Sequence, residues 1–146
     1  MIKLYTIGFT GKSAEQFFDL LINAGVTKII DTRIHNVSQL AGYAKGKDLE
    51  YFAKAIGDME YEHRVDYAPT KELLHQYRHK EIAWPEYEAK YIRLLKDRNI
   101  LSSTDFKTLH GACLLCSEHL PEQCHRRILA EYLRNHNRKI KIIHLM

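Results

Sequence analysis

Two groups of residues in this sequence carry the means for chemistry. One is Asp31-Thr32-Arg33; the other is the segment 116–126, which holds Cys116, Glu118, Cys124, His125 and Arg126. An arginine fork matches the oxygens of a phosphate or carboxylate. A glutamate or an imidazole can move a proton. A thiol at a helix start or beside a cation is driven toward thiolate, the form that attacks or ligates. Together the two groups fit an enzyme acting on an anionic substrate, a nucleotide or a nucleic-acid end. Arg33 and Arg126 hold the anion, Glu118 or His125 moves the proton, and Cys124, ahead of Cys116, is nucleophile or metal ligand.

Each group also has a plainer reading. Asp31 and Arg33 can be a local ion pair, His125 a core imidazole bonded to a carbonyl, and Cys124 a small apolar filler. The loop after Arg33 adds His35, Ser38, Tyr43 and Lys45. That is a mix of anion-binding donors and aromatic surface which, alone, reads as a solvated loop.

Residues 8–13, Gly-Phe-Thr-Gly-Lys-Ser, invite a P-loop reading, but Thr6 stands where that motif needs its first glycine. A simpler role is left for Gly8 and Thr10, whose turn can offer backbone N–H groups to one anion. Cys113-x-x-Cys116 is no redox or metal pair. Three residues apart on a strand, the side chains face opposite ways, with Cα atoms about 10 Å apart, whereas a disulfide needs less than about 7 Å. Cys113 therefore reads as core. Cys116 and Cys124 can approach each other, and with His125 they offer three ligands of a zinc site, although the spacing is not that of a common knuckle.

The elements that must position these groups alternate between strand and helix. Ile2–Gly8 reads as a first strand. Ser13 with Gln16 forms a capping box, Phe17, Leu20, Leu21 and Ala24 recur at helical spacing, and Gly25 closes the helix. Strands follow at 26–31, 59–64, 111–116 and 139–145. Further helices are expected at 47–56 (closed by Gly57), 71–80, 85–99 with Pro85 at its first position, and from Pro121 to about His136. Residues 34–46 read as a long loop, and 100–110 are ambiguous. On the last helix Ile128, Leu129, Tyr132 and Leu133 mark the apolar face, so His125 points inward, with Cys124 and Arg126 on the flanks.

This pattern predicts an α/β fold: a mostly parallel open sheet of about five strands with helices on both faces, Rossmann-like. Ligands of such sheets sit beyond the carboxyl ends of the strands, where the polar residues gather here.

The 146 residues suit one domain, 1–146. The net charge of +4 suits an anionic ligand but is too small to require nucleic acid. Three cysteines exclude a fully paired disulfide framework, which favours a reducing compartment and hence the cytoplasm. No apolar run is long enough to span a membrane.

With these residues in view, the chain resembles the domain of unknown function 488 family. The family's opening threonine-isoleucine-glycine matches Thr6-Ile7-Gly8, and its aspartate-valine-arginine strand end matches Asp31-Thr32-Arg33. Its serine-arginine falls on Ser38-Gln39, without the arginine, and Val37 replaces the preceding proline. Its glycine-aromatic-x-lysine element matches Gly42-Tyr43-Ala44-Lys45. The closing signature matches Leu115-Cys116-Ser117-Glu118, Pro121 and Cys124-His125-Arg126 without departure. The resemblance implies a compact α/β domain and the same site. It implies no reaction and no cofactor.

Two other functions compete with the enzyme. A binding module would sense a nucleotide or contact nucleic acid without turnover, helped by the basic helix carrying Tyr77, Arg78 and His79. A structural cluster would use Cys116, Cys124, His125 and Arg126 to pin the fourth strand to the last helix, with or without metal. Tyrosines within 77–91, if exposed, would offer a face to a second copy.

Overall fold

The computed structural model describes residues 1–37, 42–118 and 121–146. Five strands, β1 (Ile2–Gly8), β2 (Lys28–Asp31), β3 (Glu60–His63), β4 (Ala112–Cys116) and β5 (Ile140–Leu145), form one sheet in the order β3-β2-β4-β1-β5. Every pairing is parallel. Helices α1 (Ala14–Ala24) and α2 (Gly46–Gly57) cover one face, and α3 (Lys71–Arg78), α4 (Trp84–Asp97) and α6 (His125–His136) cover the other; α5 (Ile100–Ser103) is a single short turn. The architecture is the Rossmann-like α/β sheet that the alternation of strand and helix predicts.

Both faces are packed, so the central strands are apolar throughout. All five residues of β4 are buried. On one side Ile7, Ile29, Cys113 and Leu115 meet Phe17, Phe18, Leu21 and Leu49; on the other Leu4, Ile30 and Leu114 meet Tyr91, Leu95, Ile128 and Leu129. Cys113 is thus core, and burial pushes its thiol well above the usual range.

Local signals set several element ends. Ser13 accepts from the Gln16 backbone while the Gln16 side chain accepts from the Ser13 N–H, the full capping box, and Gly25 ends α1 at φ 78°. Elsewhere the chain departs from expectation. Asp58, not Gly57, takes the left-handed position after α2, at φ 52°. A Cβ on Gly57 would lie 2.6 Å from the Met59 methyl, so a larger residue there must shift that side chain. α6 begins at His125 rather than at Pro121. Residues 121–124 make a turn in which the Cys124 N–H donates to the Pro121 carbonyl, and Cys124 is the residue before the helix. Tyr87 and Tyr91 are buried under α3 and α6, so the tyrosines of 77–91 form no exposed face.

Register is what assembles the site. Gly8 pairs with Cys116 and Asp31 with Leu115, so β1, β4 and β2 end level with one another. β1 and β4 are neighbours, yet the chain leaving β1 runs to β2 on one face and the chain leaving β4 runs to β5 on the other. Their divergence opens a crevice above the strand ends.

Gly8 is fixed by this crowding. A Cβ on Gly8 would fall on the Glu118 carbonyl and 2.6 Å from Arg126 Nη1. Gly8→Ala must therefore push the chain after β4 away, and we expect a loss of about 2–3 kcal/mol in urea unfolding. An unchanged midpoint would show that this approach is not tight.

Candidate functional site

A cavity of about 440 Å³ lies beyond the ends of β1, β2 and β4, a volume within the range of small-molecule sites. Its walls include Phe9, Arg33, His35, Tyr77, Arg78, Trp84, Tyr87, Glu118, Cys116, Cys124 and His125. The two groups separated in sequence thus share one pocket.

Arg33 is 6% exposed and forms a fork with Asp31, which is fully buried. Arg33 Nε donates to one carboxylate oxygen at 2.9 Å and Nη2 to the other at 2.7 Å. Nη2 also donates to the Ala44 carbonyl at 2.6 Å. Tyr61 completes the acid by donating its hydroxyl at 2.6 Å, and burial together with that bond raises the phenol above its ordinary range. Arg33 Nη1 is buried and has no hydrogen-bond partner among the described residues. A buried donor left unpaired costs about 1–3 kcal/mol.

His125 stands on the opposite side. Its Nε2 lies 2.9 Å from both the Thr32 carbonyl and the Thr32 hydroxyl. A carbonyl only accepts, so Nε2 carries the proton. The Thr32 hydroxyl gives its own proton to the Leu115 carbonyl at 2.8 Å and accepts from the imidazole. Nδ1 is therefore the bare nitrogen, and it lies 3.9 Å from Cys124 Sγ. Burial is the main cause that lowers His125 to about 4, so the ring is neutral at pH 7.

The sulfurs of Cys116 and Cys124 are joined as a disulfide. Both line the cavity. Arg126 is fully buried behind them. Its guanidinium donates to the Glu118 carbonyl, to Cys116 Sγ at 3.0 Å and to Thr6 Oγ1 at 3.3 Å. Burial lowers Arg126 to about 10, which still leaves it charged at neutral pH.

Of the residues singled out from the sequence, Arg33, Glu118, Cys116, Cys124 and His125 meet in the cavity, with His35 beside them. Asp31 acts behind Arg33. Arg126 is not among the residues that line the cavity; its guanidinium bonds to protein atoms and ties the two sides of the crevice together. Gly8, Thr10, Tyr43 and Lys45 also stay out of the lining. The Tyr43 hydroxyl donates to the Phe9 and Lys12 carbonyls, and the Thr10 N–H donates to the Ser117 carbonyl. The bonds of Tyr43 and Thr10 fix the turn that follows β1. Ser38 and Gln39 lie outside the described residues. Among the described residues no three His, Cys, Asp or Glu side chains converge on one point where an ion could sit.

Sequence reasoning missed the aromatic wall. Trp84 stacks on Tyr87 with ring centres 5.1 Å apart, and Tyr77 lies 5.4 Å from Trp84. Phe9, under the Arg33 guanidinium at 5.1 Å, supplies a further ring. The signal was present as aromatics at 77, 84 and 87, but which of them face the site is decided by how α3 and α4 dock.

A family model described as "Domain of unknown function DUF488" matches residues 13–133, well over half of the chain. No curated protein and no solved structure matches.

The neutral His125 gives a pH test. In the unfolded chain an imidazole titrates near 6.5. Below that pH the unfolded state takes up a proton that the folded state, held near 4, refuses. Stability is therefore fully present above about pH 6.5 and falls as pH drops toward 4, by up to about 3 kcal/mol. Urea unfolding between pH 7.5 and pH 4.5 should show this slope in the wild type and a shallower one in His125→Gln. Equal slopes would contradict a buried neutral imidazole.

Proposed function

This chain belongs to the family described as domain of unknown function DUF488, and from its site we propose that it is a thiol enzyme acting on a small anionic substrate with a planar ring, nucleotide-like in shape. One observation carries the reading. Arg33, whose buried Nη1 has no acceptor among the described residues, lines the same cavity as two sulfurs and a neutral imidazole. An anion at Arg33 supplies the missing acceptor through a charge-assisted bond. Arg78 adds positive charge to the lining and His35 a further imidazole.

The aromatic wall supports the ring. Stacking of a nucleobase on such a face contributes about 1–3 kcal/mol and tolerates any base. Polar anchoring at one end and stacking at the other orient the ligand over the sulfurs. The thiols, imidazole and Glu118 carboxylate then lie against its middle. The purely structural reading leaves the cavity and the unpaired guanidinium nitrogen without a purpose. A working thiol site suits the reducing cytoplasm, where we place the chain. Among the described residues no helix is long and apolar enough to cross a membrane.

The chain has a single tryptophan, Trp84, so its fluorescence reports the cavity. We expect adenosine monophosphate to quench it saturably and to bind about tenfold or more tightly than adenosine, the worth of one charge-assisted bond. Reduced protein should also lose Cys116 to iodoacetate faster than to iodoacetamide, with the nucleotide protecting. Equal affinity for nucleotide and nucleoside, or no response from Trp84, contradicts the anion site. Inert cysteines in a nucleotide-binding protein would favour a binding module instead.

A further inference from the structure

The two cavity cysteines come from different elements and have different neighbours. Cys116 ends β4 and receives the Arg126 Nη1 hydrogen bond at 3.0 Å. Cys124 precedes α6 and lies 3.9 Å from the bare Nδ1 of His125. When the pair is reduced these neighbours act unequally. The guanidinium is a fixed positive charge, buried, and in direct contact with one sulfur, so it favours the thiolate of Cys116. The imidazole is neutral, so it accepts the Cys124 proton only when that sulfur attacks. The cation thus favours the thiolate at Cys116, while Cys124 has a proton acceptor beside it. Chemistry that uses two thiols in succession needs this division of roles. It also moves the nucleophile from Cys124, which the sequence favours, to Cys116.

We propose that the site is a two-cysteine thiol–disulfide exchange centre whose substrate is an anionic organic disulfide, with Cys116 as the attacking and Cys124 as the resolving sulfur. The substrate class rests on the anion-site reading above; the exchange chemistry does not. The Cys116 thiolate attacks a substrate R–S–S–R′. A Cys116–S–R bond forms, the substrate S–S bond breaks, and R′S⁻ leaves. Cys124 Sγ then attacks Cys116 Sγ as its proton is relayed through His125 Nδ1 to the departing sulfur. The Cys116–Cys124 bond forms, the bond to R breaks, and RS⁻ takes the proton from His125. The substrate disulfide is reduced to two thiols while the protein dithiol is oxidised to the disulfide seen in the structure. An external dithiol restores the reduced form by the same exchange run in reverse.

Two features separate this from a structural staple. A staple has no use for a base and a fixed cation, one on each sulfur. Nor does it need its sulfurs in the wall of a cavity. Cys113 takes no part, being buried in the core on the opposite side of β4.

The reduced full-length chain is tested with two disulfide probes: dithiobis(nitrobenzoate), an anionic aryl disulfide, and dithiodipyridine, a neutral one. With either probe the wild type should release two thiol equivalents per chain, keep no adduct, and show a Cys116–Cys124 link by mass spectrometry. Cys124→Ser should release one equivalent and retain the adduct on Cys116. Cys116→Ser should lose the fast phase, by roughly tenfold or more. A wild type that retains an adduct, or a Cys116→Ser protein that reacts as fast as wild type, overturns the proposal. The neutral probe tests the exchange chemistry alone. A rate advantage for the anionic probe that adenosine monophosphate abolishes tests the anion site, so failure of one is distinct from failure of the other.

Discussion

Two of the three guanidinium nitrogens of Arg33 are consumed inside the protein, by Asp31 and by the Ala44 carbonyl, while the third is buried with no acceptor. A buried fork of this kind is expensive. Each charge gives up its hydration, and the mutual attraction recovers the loss only where geometry and extra bonds are good. The carboxylate of Asp31 meets that demand with Arg33 and Tyr61. Arg33 stops one bond short. Arg33 lines the cavity, and the anion proposed above would supply the acceptor that its Nη1 lacks.

The sheet makes this economical to assemble. Parallel strands end level, so a residue at the tip of β2 and a residue at the tip of β4 are neighbours by register alone. The second guanidinium, on Arg126, makes a different connection. It joins β1, through Thr6, to the chain leaving β4 and reaches Cys116 on the way. His125 joins the start of α6 to Thr32, just beyond β2. Three strands and one helix are thus tied at a single corner, and the sulfurs sit within it. The same contacts that hold the corner together reach the two sulfurs, Arg126 at Cys116 and His125 at Cys124.

Much of the fold was legible from local signals. The Ser13–Gln16 box, Gly25 and the strand–helix alternation depend on neighbours in sequence, and they appear where they were expected. The inward direction of His125 followed from helical spacing. What failed depended on tertiary context. Pro121 marks a turn as readily as a helix start, and only the packing of α6 makes Cys124 its preceding residue. The spacing put Arg126 on a flank, but the crevice between β1 and β4 draws it under the sheet ends. Gly57 reads as a cap until the space taken by Met59 is known. The aromatic wall depends on the docking of α3 and α4, which no single-segment pattern encodes.

The central claim is that the unspent nitrogen of Arg33 exists to meet an anion beside the sulfur pair. A crystal structure of the chain grown with adenosine monophosphate tests it most directly. The account predicts a phosphate oxygen within hydrogen-bonding distance of Arg33 Nη1, with the base against Trp84 and the ligand spanning the mouth above Cys116 and Cys124. A nucleotide bound elsewhere on the surface, with Arg33 Nη1 still lacking an acceptor or satisfied by the protein itself, would contradict it.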